Sequence, residues 1–139
     1  MCRVCVYFDE NFRMTRMLRI AVADDEPDVR DYFQVMLPRL GHQVVAAAAN
    51  GRELVELCRQ HKPDLIIADV RMPEMDGDVA IQQICHDNPV PFILISAYSK
   101  PEGMLEGFGS VRRTYLTKPV KRNDLQDAIE QVCSNNSGQ

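Results

Sequence analysis

Apolar positions along the chain follow two alternating rhythms. LRIAVA (18–23), HQVVAAA (42–48), DLIIAD (64–69) and PFILIS (91–96) each carry a short, nearly unbroken apolar run, and RTYLT (113–117) is a shorter relative. Runs of this length predict strands, and the first, third and fourth are apolar enough to be buried on both faces. Helical spacing fills the gaps between them. PDVRDYFQVMLPRL (27–40) puts Val29, Tyr32, Phe33, Met36 and Leu40 on one face, with Pro27 set to open the helix. Pro38 ends or kinks its last turn, and Gly41 stops it. Asn50 is placed to cap GRELVELCRQH (51–61), whose Leu54, Val55 and Cys58 share a face. GDVAIQQICHD (77–87) turns Ile81, Ile84 and Cys85 inward. KRNDLQDAIEQVC (121–133) does the same with Leu125, Ala128, Ile129 and Val132. KPEGMLEGFG (100–109) predicts a weaker helix, interrupted by Gly103, Gly107 and Gly109.

Five strands alternating with five helices predict an α/β domain. Right-handed crossovers would build a parallel sheet covered on both faces. Residues 1–17 show no clear period and read as an N-terminal extension outside the core. Met17 offers a second start just ahead of LRIAVADDE. Cys2 and Cys5 form a C-x-x-C with no second pair to complete a zinc site. The domain is expected over 18–133, followed by a polar tail, 134–139.

Bulk properties narrow the class. The 139 residues suit one core, and a net charge of −4 gives no electrostatic case for binding nucleic acid. The longest apolar run, Val44 to Ala49, is too short to span a bilayer. Five scattered cysteines argue against a disulfide framework and for a reducing, cytoplasmic setting. His42, His61 and His86 read as solvated positions near helix ends or before strands.

In a parallel α/β sheet, ligands sit beyond the carboxyl ends of the strands. There the sequence places Asp24, Asp25 and Glu26 after the first strand and Asp69 after the third. Ser96 follows the fourth, and Thr117, Lys118 and Pro119 follow the fifth. Clustered carboxylates raise one another's pKa unless a cation joins them. A hard divalent ion such as Mg²⁺ prefers such oxygen ligands. Acids, a metal and a lysine together are suited to hold further negative charge, and a phosphoryl group fits.

The acidic pair in AVADDEP, the block DLIIADVRMPEMDG, the serine in FILISAY and the lysine in YLTKPV occur in one order and spacing. Over about Leu18 to Cys133 the chain thereby resembles the response-regulator receiver domain of two-component signalling. The resemblance implies a flavodoxin-like, doubly wound five-stranded parallel sheet with strand order 2-1-3-4-5. Asp69 would be the phosphoacceptor, taking phosphorus from a histidine kinase or phosphotransfer protein. Asp24, Asp25, Asp69 and the backbone carbonyl of Arg71 would hold Mg²⁺. Lys118 would pair with a phosphoryl oxygen and, without one, with Asp69. Ser96 would donate a hydrogen bond to the phosphoryl group, and Tyr115 would be the aromatic switch that turns inward with it. Pro119 matches a position often preceded by a cis peptide. Arg71 and Tyr98 match positions that tune the lifetime of the phosphoryl group. The segments 100–109, 113–117 and 121–133 would form the face that changes on phosphorylation, and a homodimer through them is compatible with the family. The protein is expected to be a stand-alone signalling domain and not an enzyme beyond assisting its own phosphorylation and dephosphorylation.

Three other readings compete. A haloacid-dehalogenase-type phosphatase also uses an aspartate after a strand, but needs a second one two residues on, where this chain has Arg71. A nucleotide or flavin binder needs a glycine- or hydroxyl-rich loop after the first strand, where this chain has ADDEP. A phosphate-independent interaction module would have no use for the acids, hydroxyl and lysine together.

Overall fold

The computed structural model of the protein describes residues 6–8 and 14–133. Val6–Phe8 (β1) and Met14–Arg16 (β2) pair antiparallel as a small sheet of their own. Strands three residues long carry no readable period, which is why this pairing leaves no mark in the sequence pattern. The C-x-x-C of Cys2 and Cys5 and the tail 134–139 lie outside the described residues.

The main sheet is formed by Arg19–Ala23 (β3), Gln43–Ala48 (β4), Leu65–Asp69 (β5), Phe92–Ser96 (β6) and Arg113–Thr117 (β7). Its order is β4-β3-β5-β6-β7, and every neighbouring pair is parallel. Counted from β3, this is the expected 2-1-3-4-5. Among the described residues, four helices connect or flank the strands: Pro27–Arg39 (α1), Gly51–His61 (α2), Gly77–Asp87 (α3) and Arg122–Cys133 (α4). No helix among the described residues is long and apolar enough to cross a membrane.

Alternation along the strands divides the core in two. Ile20 and Val22, Leu65 and Ile67, and Ile93 and Ile95 face α1 and α4. There they meet Phe33, Leu37, Leu125, Ile129 and Val132. Ala21 and Ala23, Ile66 and Ala68, and Phe92 and Leu94 face α2 and α3. Alanines dominate β3 and β4 on that second face, leaving room for Leu54, Val55, Ile81 and Ile84 to lie close. Full burial of each Ile or Leu contributes about 1.5–3 kcal/mol. Asn50 caps α2 as anticipated: its side chain accepts from the Glu53 N–H at 2.8 Å, and Glu53 returns the contact to Ala49 N–H at 2.7 Å. Gly41 takes φ +93 after α1, a value that favours glycine.

The fifth helix expected from the sequence does not form. Residues 100–109 run as successive turns, with Gly103, Gly107 and Gly109 at positive φ. Three left-handed residues within seven cannot share one right-handed helix. The segment is tied down by Phe108, which is buried with its ring edge-to-face against Phe92 at 4.7 Å. The Arg113 guanidinium lies over the Phe108 ring and donates to the carbonyls of Gly109 and Val111.

The thiols expected on helix faces are there. Cys58 is buried, and Cys85 and Cys133 are half-buried. Burial, helped by the nearby Cys85, pushes the Cys58 thiol up to about 12, which makes it a packing group.

Glu74, in the loop between β5 and α3, has φ +67 although it is not glycine. It is exposed, and its carboxylate lies 3.5 Å from Arg52. Exposed substitutions usually change stability by less than about 0.5 kcal/mol. Glu74→Val is expected to cost about 1–2 kcal/mol, because a β-branched residue resists this backbone conformation. Glu74→Gly should not show that loss. Urea denaturation of the two variants checks this, and equal stabilities would refute it.

Candidate functional site

Each strand of the main sheet delivers its last residue to one rim, and four of these junctions build the site. At the end of β3, Asp24 is nearly fully buried while Asp25 is exposed. The Asp24 N–H donates to the Ala48 carbonyl of β4 at 3.1 Å. One of its carboxylate oxygens accepts from the Glu26 N–H at 2.9 Å, so the acidic turn closes on itself. Its carbonyl accepts from the Arg30 guanidinium of α1 at 2.8 Å.

At the end of β5, Asp69 is 8% exposed. The chain then doubles back. Val70 N–H donates to the Ile95 carbonyl at 2.9 Å, and Gly77 N–H to the Val70 carbonyl at 2.7 Å. Gly77 owes its place to a close approach of two backbones. It is the first residue of α3, and a Cβ there would fall on the Asp69 carbonyl. Gly51, at the start of α2, makes the same kind of approach to the Met75 carbonyl and donates to it at 3.0 Å. The loop carrying Arg71 is thus held between two helix starts by positions that admit no side chain.

At the ends of β6 and β7 lie Ser96 and Lys118. Ser96 is buried, and its hydroxyl accepts from Tyr98 N–H at 3.1 Å. Its carbonyl accepts from Lys118 N–H at 2.7 Å, joining the two strand ends. The Lys118–Pro119 peptide is cis. Half-buried Tyr115 donates its hydroxyl to the Tyr98 carbonyl at 3.0 Å. Tyr32 of α1 donates its own to Val120, just past Pro119, at 3.0 Å.

One carboxylate oxygen from each of Asp24, Asp25 and Asp69 lies within 4.8 Å of the others. The Lys118 ammonium reaches into this group, 3.0 Å from Asp24 and 3.6 Å from both Asp69 and Glu26. Its nearest partner is therefore Asp24 rather than Asp69, because Asp24 is the deepest carboxylate and gains most from a counter-charge. Burial raises the pKa of Asp69, the charges of Asp24 and Asp25 add to this, and Lys118 pulls the other way; the result is about 6. Burial also acts to lower the pKa of Lys118. The hydrogen bond to Asp24 and the charges of Asp69, Asp24 and Glu26 outweigh it and hold the ammonium above its ordinary value. Four carboxylates around one ammonium leave negative charge over. An oxygen-only donor set of this kind fits a hard divalent cation such as Mg²⁺.

The site residues chosen from sequence gather on this rim, with Arg71 two residues beyond Asp69 in the exposed loop and Tyr115 one bond away through Tyr98. Two neighbours had no assigned part. Glu26 is visible in the sequence as a third acid but contacts Lys118 only through the fold. Arg30 sits on a helix with no sequence signal that its guanidinium turns back to Asp24.

The response regulator receiver domain family model matches residues 20–130, and the chain belongs to this family. The transcriptional regulatory protein PdtaR of Mycobacterium tuberculosis is 36% identical over 116 residues, which are 84% of this chain and 57% of that protein. The chain thus spans little more than half the length of that relative. Protein PilH of Pseudomonas aeruginosa is 35% identical over 119 residues, covering 84% of this chain and 98% of PilH. Among solved structures, the Vibrio cholerae chemotaxis protein CheY4 superposes with a TM-score of 0.74 at 25% identity. That match covers 84% of this chain and 99% of CheY4.

Proposed function

We propose that this receiver domain accepts a phosphoryl group on Asp69 from a phosphohistidine of a histidine kinase or phosphotransfer protein, with Mg²⁺ held by Asp24, Asp25, Asp69 and the backbone carbonyl of Arg71. A carboxylate oxygen of Asp69 attacks phosphorus, the phosphorus–nitrogen bond breaks, and the departing imidazole keeps the electron pair and takes a proton. Bound Mg²⁺ would offset charge on the phosphoryl oxygens. Lys118 shifts from its carboxylate contacts to a phosphoryl oxygen. The Ser96 hydroxyl, which accepts from Tyr98 N–H, keeps its proton to donate to the arriving group. Tyr115 follows through its bond to the Tyr98 carbonyl, altering the face around residues 98–117 that a downstream protein partner would read. The domain would assist only its own phosphorylation and dephosphorylation, and its free thiols suit the cytoplasm.

The observation that carries this reading is the convergence of Asp24, Asp25 and Asp69 within 4.8 Å, with Lys118 among them. A phosphate-independent module has no use for the four together, and a haloacid-dehalogenase-type phosphatase would need a second aspartate where this chain has Arg71. Intact-mass spectrometry after incubation with acetyl phosphate is the test. Wild type should gain one phosphoryl group only with Mg²⁺ present, and Asp69→Asn should gain none. A folded wild type that gains nothing would sink the proposal.

A further inference from the structure

The two acids after β3 differ in how they are held. Asp24 has its carboxylate fixed by Glu26 N–H and Lys118. Asp25 is exposed, with a carboxylate oxygen within 4.8 Å of those of Asp24 and Asp69. The peptide that links them has its carbonyl at Asp24, and that carbonyl accepts the Arg30 guanidinium at 2.8 Å. Asp24 N–H is bonded to Ala48 on the other side. Rotating the Asp24–Asp25 peptide plane would break the Arg30 bond and swing the Asp25 carboxylate away from Asp69. Arg30 itself is anchored, because its N–H donates to the Glu26 carbonyl in the first turn of α1. A rigid helix therefore grips the one peptide on which both acids depend.

We infer that Arg30 is a positioning residue for divalent-cation binding: it locks the Asp24–Asp25 peptide so that both carboxylates face Asp69. This rests on the metal-binding reading of the acidic cluster given above. Arg30 acts on a bound cation in two opposed ways. As a positive charge near an acidic site, Arg30 should weaken cation binding, and its removal should tighten it. As a lock on the ligand backbone, its removal should loosen binding, since groups that orient metal ligands typically matter by tenfold or more. The bond is charge-assisted and its donor half-buried, so the lock is expected to prevail.

The test is isothermal titration with Mg²⁺ alone on the phosphate-free protein, comparing wild type, Arg30→Ala, Arg30→Lys, Arg30→Gln and Asp25→Asn. Arg30→Ala should bind about tenfold more weakly. Arg30→Lys and Arg30→Gln, which keep a donor, should recover part of the loss, and the neutral Gln separates the bond from the charge. Melting temperatures of the metal-free variants report whether folding is intact; if Ala is poorly folded, Arg30→Met, which keeps the stem and has no donor, takes its place. Unchanged or tighter binding in Arg30→Ala, or in a folded Arg30→Met, overturns the inference while leaving the metal site standing. If wild type itself binds no Mg²⁺, or Asp25→Asn binds as well as wild type, the metal-site reading fails and takes the inference with it.

Discussion

Lys118→Ala is expected to lower the stability of the metal-free protein by about 2 kcal/mol near pH 7.5. Removing one partner of a fully buried ion pair typically costs 3–5 kcal/mol. This pair lies at a rim where the Lys118 side chain is 23% exposed, so the lower figure applies. The loss should depend on pH, and its sign follows from the carboxylates. Asp69 already titrates near 6 in the folded state, above the ordinary aspartate value. Such a group binds more protons folded than unfolded, so its cost is absent at low pH and appears as pH rises through the window between the two values. Lys118 acts against that shift. Without it, Asp69 titrates higher still, and the window extends toward neutrality. The deficit should therefore be largest at pH 7.5 and shrink at pH 5. Mg²⁺ should restore more stability to the variant than it adds to wild type, because the ion replaces the missing cation. Urea denaturation at the two pH values, with and without Mg²⁺, checks all of this. A deficit independent of pH and of Mg²⁺ would mean that Lys118 contributes by packing its stem rather than by charge.

Gly77→Ala should be the more damaging change at Asp69. The added methyl falls on the carbonyl of Asp69, a backbone atom inside the central strand β5 that cannot swing aside as a side-chain tip could. Relief requires α3 to move outward or Asp69 to shift, and either stretches the 2.7 Å bond from Gly77 N–H to Val70. Overpacking of this kind costs about 1–3 kcal/mol, and the strained bond places the expected loss near the top of that range. Any backbone shift moves Asp69, the proposed nucleophile, itself. Phosphoryl uptake from acetyl phosphate should thus fall more steeply than the stability loss explains, even in the fraction that stays folded. Chemical denaturation and the initial rate of uptake, measured on one preparation, separate the two effects. A stable variant with an unchanged rate would show that α3 yields without disturbing Asp69.

Much of this architecture was legible in the chain because buried strands and amphipathic helices leave strong periods. Ile66, Ile67 and Ala68 could only be interior, and Leu125, Ala128, Ile129 and Val132 define a face. The acids, hydroxyl and lysine were legible through their positions just past strand ends. Three things were not. The 100–109 segment has the spacing of a helix and the glycines of a loop, and backbone sterics at Gly103, Gly107 and Gly109 decide for the loop. The role of Gly77 depends on how near β5 passes to α3, a distance between elements that no local pattern encodes. The preference of Lys118 for Asp24 over Asp69 depends on relative depth, which emerges only when the rim closes.

The turns between β6 and β7 have an energetic consequence. A strand or helix shares its ladder among many residues, so bending it breaks several bonds at once. The stretch after Tyr98 is held mainly by isolated turn bonds, such as Met104 to Pro101, Glu106 to Gly103 and Val111 to Phe108, and by the single aromatic anchor of Phe108. Reshaping it asks little of the rest of the molecule. It begins two residues beyond Ser96, so a stretch with little local cooperativity lies beside the acidic rim. A small displacement at the rim can be absorbed there as a large change of surface, while the five-stranded sheet keeps its form.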